Sequence, residues 1–206
     1  MTYASMTEGQ LDALKEISNI GMGHAATALS QLIGETVYLR VPRITVTDIG
    51  QVPELLGGAE RVVAGVTLQI LGDARGNILL IFPAESALRL ISRLLGKEAE
   101  GMVLDELGES TLKEVGNILA SAYLSAMGSL LHITLIPSIP LLAFDMAGAV
   151  VDCVLIELSQ ASDLALMVET EFHGKEPNLE PIKGHFFLLP DPGSLDVLLR
   201  AVGGKE

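Results

Sequence analysis

A short polar pattern occurs twice in this chain, and its second copy lies 98 residues after the first. Each copy contains an acidic or hydroxyl residue, a glutamate, an asparagine and a proline, separated by steps of four, three and 23 residues. The two copies are Asp12, Glu16, Asn19 and Pro42, and Ser110, Glu114, Asn117 and Pro140. A repeat of about a hundred residues is too long for a solenoid unit, so we interpret it as the duplication of an α–β half.

Local signals predict the same order of elements in the two halves. In the first half, Thr7 and Gln10 have the spacing of a capping box, which predicts a helix from there to about Ile33, ended by Gly34. The other elements predicted for this half are a strand at 37–47 interrupted by Pro42, a turn or short helix at 51–60, a strand pair at 61–71 and 76–82, and a helix from Pro83 to Gly96.

The second half is predicted to begin with a long helix over 104–131. The elements predicted to follow it are a strand at 133–143, an apolar segment at 150–158, a strand pair at 164–172 and 184–189, and a short helix capped by Ser194. Periodicity leaves the segment 150–158 open as either a strand or a buried helix. Extra residues in this half are expected in a longer hairpin loop at 173–181.

Short connections within each strand pair favour antiparallel pairing. We therefore predict an α+β fold of internally duplicated halves with pseudo-twofold symmetry, in which a mostly antiparallel sheet is flanked by the two long helices that carry the pattern. The whole chain, 1–206, is expected to be a single domain with repeats at about 7–96 and 104–204, and the halves are expected to share one sheet or one core.

Composition narrows the class of partner. The net charge of −13 at pH 7 disfavours nucleic acids and anionic membranes and suits a partner that presents basic residues. No apolar run reaches the roughly 18 residues of a membrane span, and the start lacks the features of a signal peptide. Cys153 is the single cysteine and is expected to be buried and inert. We therefore expect a cytoplasmic protein without membrane insertion, and a self-contained monomer.

The spacing of the repeated pattern places its polar residues together on a helix. At about 100° per residue, Asp12, Glu16 and Asn19 fall within an arc of roughly 60°, opposite the apolar side of the helix. In the second copy, Ser110, Glu114 and Asn117 fall within the same arc, again opposite the apolar side. A carboxylate can bind a cationic group of a partner, and an amide can orient a water molecule. No His or Cys has the spacing of a catalytic dyad, and two such ligands are too few for a metal cage. The pair suits phosphoryl transfer in which a partner supplies the electrophile and the metal.

The pattern resembles the signature of the CheC/CheX/FliY family of chemotaxis phosphatases. The segments that carry the resemblance are 15–21 and 113–118, and the resemblance extends over essentially the whole chain. Two intact copies and the chain length are similar to the CheC members, since CheX carries one copy and FliY adds a C-terminal flagellar-switch domain. The resemblance implies a CheC-like fold and hydrolysis of the aspartyl phosphate of the response regulator CheY.

The resemblance also implies a role for each residue of the pattern. Asn19 and Asn117 would orient the attacking water, and Glu16 and Glu114 would bind the regulator. The supporting residues would be Asp12, Ser110, Pro42 and Pro140. The protein would need no cofactor of its own, because Mg²⁺ would belong to CheY. The copies differ at Asp12 and Ser110, so equal activity of the two sites is not implied.

The resemblance also implies a second partner, CheD, which is a receptor-modifying deamidase. The segment from Phe144 to Val151 breaks the symmetry of the repeat and is small and apolar in part. We predict a CheD-docking surface at Phe144, Asp145, Ala147 and Gly148. The alternative function is therefore an interaction module that binds and regulates CheD and has weak phosphatase activity. For the segment itself, the alternative interpretation is that it is a packed element of the second half.

Overall fold

A computed structural model describes six stretches of the chain: residues 7–34, 36–41, 43–96, 104–157, 164–173 and 182–203. Pro42 and nearly all of the predicted hairpin loop at 173–181 lie outside these stretches.

The first half has the predicted order of elements. They are α1 (Glu8–Ile33), β1 (Tyr38–Arg40), β2 (Ile44–Asp48), a 3-10 turn (Ile49–Gln51), α2 (Val52–Leu55), β3 (Val62–Gly72), β4 (Gly76–Pro83) and α3 (Ala84–Leu95). The capping box of Thr7 and Gln10 starts α1, and Gly34 ends it with a left-handed φ of 72°. Gly96 ends α3 in the same way, with φ 63°.

The second half follows the same order. Its elements are α4 (Glu106–Leu131), β5 (Leu135–Pro137), β6 (Leu141–Met146), α5 (Ala147–Glu157), β7 (Leu164–His173), β8 (Ile182–Pro190) and α6 (Pro192–Gly203). The segment that periodicity left open is helical, as α5. It is helical although its sequence is apolar nearly all round, which is why its pattern showed neither helical nor strand periodicity.

The eight strands of the described stretches form one sheet, in which the hairpin of each half lies between strands of the other half. The order is β1-β7-β8-β4-β3-β5, with β2 also paired to β7 and β6 also paired to β3. All of these pairs are antiparallel, as predicted. The long hairpins β3–β4 and β7–β8 meet at the centre, and the short strands of each half pair with the hairpin of the other half.

Helices cover both faces of the sheet. On one face, α1, α3, α4 and α6 bury the larger apolar cluster, which includes Leu14, Leu29, Leu112, Leu124 and Leu198. On the other face, α2 and α5 bury a smaller cluster around Val52, Val150, Val154 and Phe187. The central strand β4 is buried along its whole length because it lies between these two clusters.

Ser194 does not cap the final helix, so that prediction was wrong. The helix begins at Pro192, and the N–H groups of Ser194 and Leu195 donate to the carbonyl of Asp191, each at 2.9 Å. Proline at the first helical position is a start signal in its own right. The Ser194 hydroxyl instead accepts from the Arg75 N–H at 2.6 Å and ties α6 to the β3–β4 turn.

Candidate active site

The first three residues of each copy lie on the two longest helices of the described chain, which pack against each other over the same face of the sheet. α1 and α4 are each 26 residues long. The apolar sides of both helices are buried, with Leu14 and Leu112 at 2% and 0% exposure, while Glu16, Asn19 and Glu114 are exposed and Asn117 is half-buried. Both Glu–Asn pairs therefore reach the surface, with Asn117 less exposed than the other three residues.

The two glutamates are available to a partner. Among the described residues, neither Glu16 nor Glu114 has a hydrogen-bonded or ion-paired partner. Each follows a lysine that is already paired. Lys15 Nζ lies 3.2 Å from Asp12 Oδ1, and Lys113 Nζ lies 3.6 Å from Glu109 Oε2. Such exposed pairs contribute only about 0.2–0.5 kcal/mol to the helix, and each lysine points away from the adjacent glutamate because neighbouring helix positions do not face each other.

These ion pairs clarify the difference between Asp12 and Ser110. Asp12 binds its lysine three residues later along the helix, whereas in the second copy the lysine is bound by Glu109, one residue before Ser110. Both Asp12 and Ser110 are exposed. In both copies an acid on the preceding turn pairs with the lysine. Relative to the repeat, the two acids occupy positions that differ by one residue. The contribution of Glu109 was missed because it falls outside the repeated letters.

The two amides have different surroundings. Asn19 is exposed, whereas Asn117 is half-buried and its Oδ1 lies 3.5 Å from the Ser121 hydroxyl, one turn further along α4. This distance is at the limit of a hydrogen bond. The corresponding position in α1 is Gly23, which has no side chain to offer. The second amide is therefore more restricted than the first.

Tyr123 and Ser18 lie behind the first copy and were also missed. The hydroxyls of these two residues share a hydrogen bond of 2.9 Å, and both side chains are fully buried. Burial raises the pKa of Tyr123 to about 12, although the hydrogen bond from Ser18 opposes this rise. In the sequence they are 105 positions apart, so no local pattern could have indicated the contact.

The helices of the two copies also differ in the element that each one packs against most closely. In α4, Gly116 takes the place of Ser18, and a Cβ added there would lie 2.5 Å from Val66 Cγ1 of β3. In α1, a Cβ added at Gly21 would lie 2.7 Å from the ring of Tyr123. α4 is therefore seated closely on the sheet, and α1 is seated closely on α4.

Of the two prolines in the pattern, only Pro140 lies among the described residues. It is half-buried in the short link between β5 and β6. This link is fixed to β3 through Ser138, whose N–H donates to the Gln69 carbonyl and whose hydroxyl accepts from the Gln69 N–H, each at 2.9 Å. Pro140 is thus part of the edge of the sheet, and its link to the helix surface remains a prediction.

The predicted docking surface is only partly accessible. Asp145 is exposed, Phe144 packs against the larger apolar cluster and Ala147 is fully buried. The N–H groups of Ala147 and Gly148 donate to the carbonyls of Arg61 and Ala59, at 2.8 and 2.9 Å. The prediction that Ala147 belongs to a docking surface was therefore wrong, because the start of α5 is held inside the fold.

Cys153 is exposed on α5, so the expectation of a buried thiol was also wrong. The residues that the structure describes include no group of three or more His, Cys, Asp or Glu side chains that could hold a metal ion. Within the same stretches, no helix combines the length and the apolar character required to cross a membrane.

The fold and this site define a class: α+β proteins in which two long neighbouring helices expose paired acid and amide side chains over a shared sheet. The sequence matches the CheC-like family over residues 10–46. It is 36% identical over 206 residues to a Bacillus subtilis protein named CheY-P phosphatase CheC, covering 98% of each chain. The chain therefore belongs to the CheC family, and the predicted family and CheC-like fold are confirmed.

Solved structures share the fold. Thermotoga maritima FliY superposes with a TM-score of 0.80 at 20% identity, covering 98% of this chain and 100% of that one. CheX from Borrelia burgdorferi, crystallised as a complex with CheY, BeF3 and Mg²⁺, superposes with a TM-score of 0.51 at 16% identity, covering 83% of this chain and 96% of that one.

Proposed function

We propose that this protein is a phosphatase that hydrolyses the aspartyl phosphate of the response regulator CheY. Two findings support the proposal. The Bacillus subtilis relative, which matches along its whole length, is named a CheY-P phosphatase. The two Glu–Asn surfaces are solvent-facing and their glutamates are unpaired within the described stretches, as a docking partner would require. The second finding carries the proposal, because it concerns the residues that would do the work.

The proposed reaction divides the chemistry between two proteins. CheY contributes the phosphoryl group and the Mg²⁺ that neutralises its oxygens, and this protein contributes side chains that place the nucleophile. The amide of Asn19 or Asn117 holds a water molecule in line with the phosphorus, accepting a hydrogen bond through its oxygen and donating one through its nitrogen. The water oxygen forms the new bond to phosphorus as the bond to the aspartyl oxygen breaks, and the proton that the water gives up passes to an oxygen of the released inorganic phosphate.

The leaving group explains why no acid catalyst is required. Hydrolysis releases the aspartate of the regulator as a carboxylate, whose pKa of about 3.9 makes it a stable anion at neutral pH. Positioning of water and stabilisation of charge then account for most of the rate enhancement. An amide with a neighbouring carboxylate is sufficient for this reaction, and a histidine or cysteine at the site is not needed.

Glu16 and Glu114 are proposed to bind a lysine of the regulator close to its phosphate. Their neighbours Lys15 and Lys113 are held by other acids, at 3.2 and 3.6 Å, so these glutamates are free to bind an incoming cation. The net charge of −13 would also attract a basic surface over distances of about 8–10 Å at physiological salt.

The decay of purified phosphorylated CheY tests this function. We expect the wild-type protein to accelerate decay, each of Asn19→Ala and Asn117→Ala to reduce the acceleration, and the double variant to lose on the order of 10²-fold. Gln31→Ala removes another exposed amide of α1 and serves as the matched control, with no expected effect. Equal rates for the double variant and the wild type would reject the proposal. The single variants also show which site dominates.

We further propose CheD as a second partner, with regulation of CheD as the alternative function. The exposed carboxylate of Asp145 lies at the end of β6, just before α5, and Ile156 near the other end of α5 is 72% exposed. Binding would involve this acid and the outer side of α5 rather than Ala147. Asp145→Lys is expected to weaken capture of CheD, whereas Glu8→Lys makes the same charge change at the start of α1 and is expected not to. Undiminished capture by Asp145→Lys would remove Asp145 from the interface.

A further inference from the structure

The turn of α1 that carries Asn19 is held from behind by a contact between the two long helices. Ser18 precedes Asn19 in the sequence and points inward, with 0% exposure, while Asn19 itself is exposed. The Ser18 hydroxyl meets the hydroxyl of Tyr123 at 2.9 Å, and Tyr123 belongs to α4. The contact therefore joins the helix of the first site to the helix of the second.

Two close neighbours confine the tyrosine ring. The ring of Tyr123 lies 4.6 Å from the ring of Phe186 in β8, measured between centroids and inclined by 50°. The second neighbour is Gly21 of α1, where an added Cβ would come within 2.7 Å of the ring. The hydroxyl of Tyr123 thus has a defined position, and it can set the position of whatever binds to it.

We propose that Tyr123 is a positioning residue for the first site: by binding the Ser18 hydroxyl, it keeps Ser18 from bonding to the backbone of α1 and so preserves the orientation of the turn that presents Asn19. This inference rests on the proposed phosphatase activity. In-line attack is sensitive to position, and a displacement of about 1 Å can reduce a rate by on the order of 10²-fold. A buried hydrogen bond directly behind the amide is a means of holding it in place.

The alternative partner available to Ser18 indicates how loss of Tyr123 would act. Without the tyrosine hydroxyl, the buried Ser18 hydroxyl would have an unmet hydrogen bond, which carries a cost. A serine within a helix can satisfy itself by bonding to the carbonyl four residues earlier, here that of Leu14, and this bond bends the helix. The bend would fall on the turn that carries Asn19. The second site has Gly116 in place of Ser18 and has no such bond to lose.

Single-site versions of the full chain separate the two sites. Asn117→Ala leaves the first site, and Asn19→Ala leaves the second. In the first-site protein, Tyr123→Phe is expected to lower kcat about threefold or more while KM for phosphorylated CheY changes less than about twofold, because exposed Glu16 still binds the regulator. In the second-site protein, Tyr123→Phe is expected to lower kcat by a factor at least threefold smaller than in the first-site protein. Tyr38→Phe, at an exposed tyrosine of β1, is the control and is expected to change neither.

A rescue variant distinguishes positioning from general loss of structure. Ser18→Ala combined with Tyr123→Phe removes both hydroxyls, so no unmet group remains to bend α1, and we expect most of the lost kcat to return. Equal losses in the two single-site proteins, no loss in the first-site protein, or no rescue would overturn the inference. Failure of the proposed phosphatase function would be seen in a different result: the protein lacking both asparagines would dephosphorylate CheY at the wild-type rate.

A spectroscopic readout is independent of turnover. In the NMR spectrum of the full chain, Tyr123→Phe is expected to shift the side-chain amide signals of Asn19 more than those of Asn117, and the added Ser18→Ala is expected to move them back. Unmoved Asn19 signals would overturn the inference even if the first site contributes little to the overall rate.

Discussion

At the scale of single residues, glycines allow α4 to pack closely on the sheet and α1 to pack closely on α4. Gly116→Ala would place a Cβ 2.5 Å from Val66 Cγ1, so we expect destabilisation by about 1–3 kcal/mol from overpacking. Gly23→Ala is the matched control, because nothing lies within 4 Å of a Cβ there; in a helix interior it is expected to stabilise by about 0.5–1 kcal/mol. Urea unfolding measures both changes. A loss of stability at Gly23 as large as that at Gly116 would contradict this account.

The buried tyrosine also predicts a dependence of stability on pH. The pKa of Tyr123 is raised to about 12 in the folded protein, against about 10 when unfolded, because burial disfavours the phenolate. The folded state therefore holds this proton more tightly, and its contribution is complete below pH 10 and lost as pH rises towards 12. We expect the free energy of unfolding to fall over this interval in the wild type and to fall less in Tyr123→Phe. Tyr38→Phe, which removes an exposed phenol, should behave like the wild type.

At the scale of elements, the start of α4 depends on its cap. Asp105 accepts a hydrogen bond from the Gly108 N–H at 2.7 Å, and its carboxylate lies at the positive end of the helix. Asp105→Ala is expected to cost about 0.5–2 kcal/mol of stability, measured by chemical unfolding. Ser125→Ala, at an exposed position in the interior of α4, should have no such cost, because alanine is the better helix former. A neutral Asp105→Ala would show that the cap is dispensable.

The elements that could be predicted from the sequence are those with local signals. The capping box at Thr7 and the glycines at Gly34 and Gly96 mark the ends of helices by short-range geometry, and the structure shows each at its predicted place. α5 could not be assigned from periodicity, because its exposed side carries Cys153 and Ile156 beside Asp152 and therefore lacks the polar stripe of an amphipathic helix. Contacts made only on folding, such as the one between Ser18 and Tyr123, have no local signature. The exposed faces of the candidate site were predictable because the pattern repeats on helical spacing.

The whole molecule depends on the exchange of strands between the halves. β1 and β2 of the first half pair with β7 of the second, β5 and β6 of the second half pair with β3 of the first, and β4 pairs with β8. The two long helices are also neighbours, joined through the buried bond between Ser18 and Tyr123. Each half alone would therefore expose the edges of its long hairpin and the apolar side of its long helix. We propose that residues 1–206 form a single cooperative domain.

Separate expression of the halves tests this proposal. Fragments 1–100 and 101–206, each alone, are expected to show no cooperative unfolding transition by circular dichroism, because strands such as β1 and β2 lack their partner and β4 lacks β8. Equimolar mixing is expected to restore a transition, since the fragments can complete each other's sheet edges. The matched control is the full chain with a protease site inserted between residues 100 and 101, which should stay assembled after cleavage. A fragment that unfolds cooperatively by itself would show instead that each repeat is an independent domain, and the shared sheet would then be an interface between two folded units.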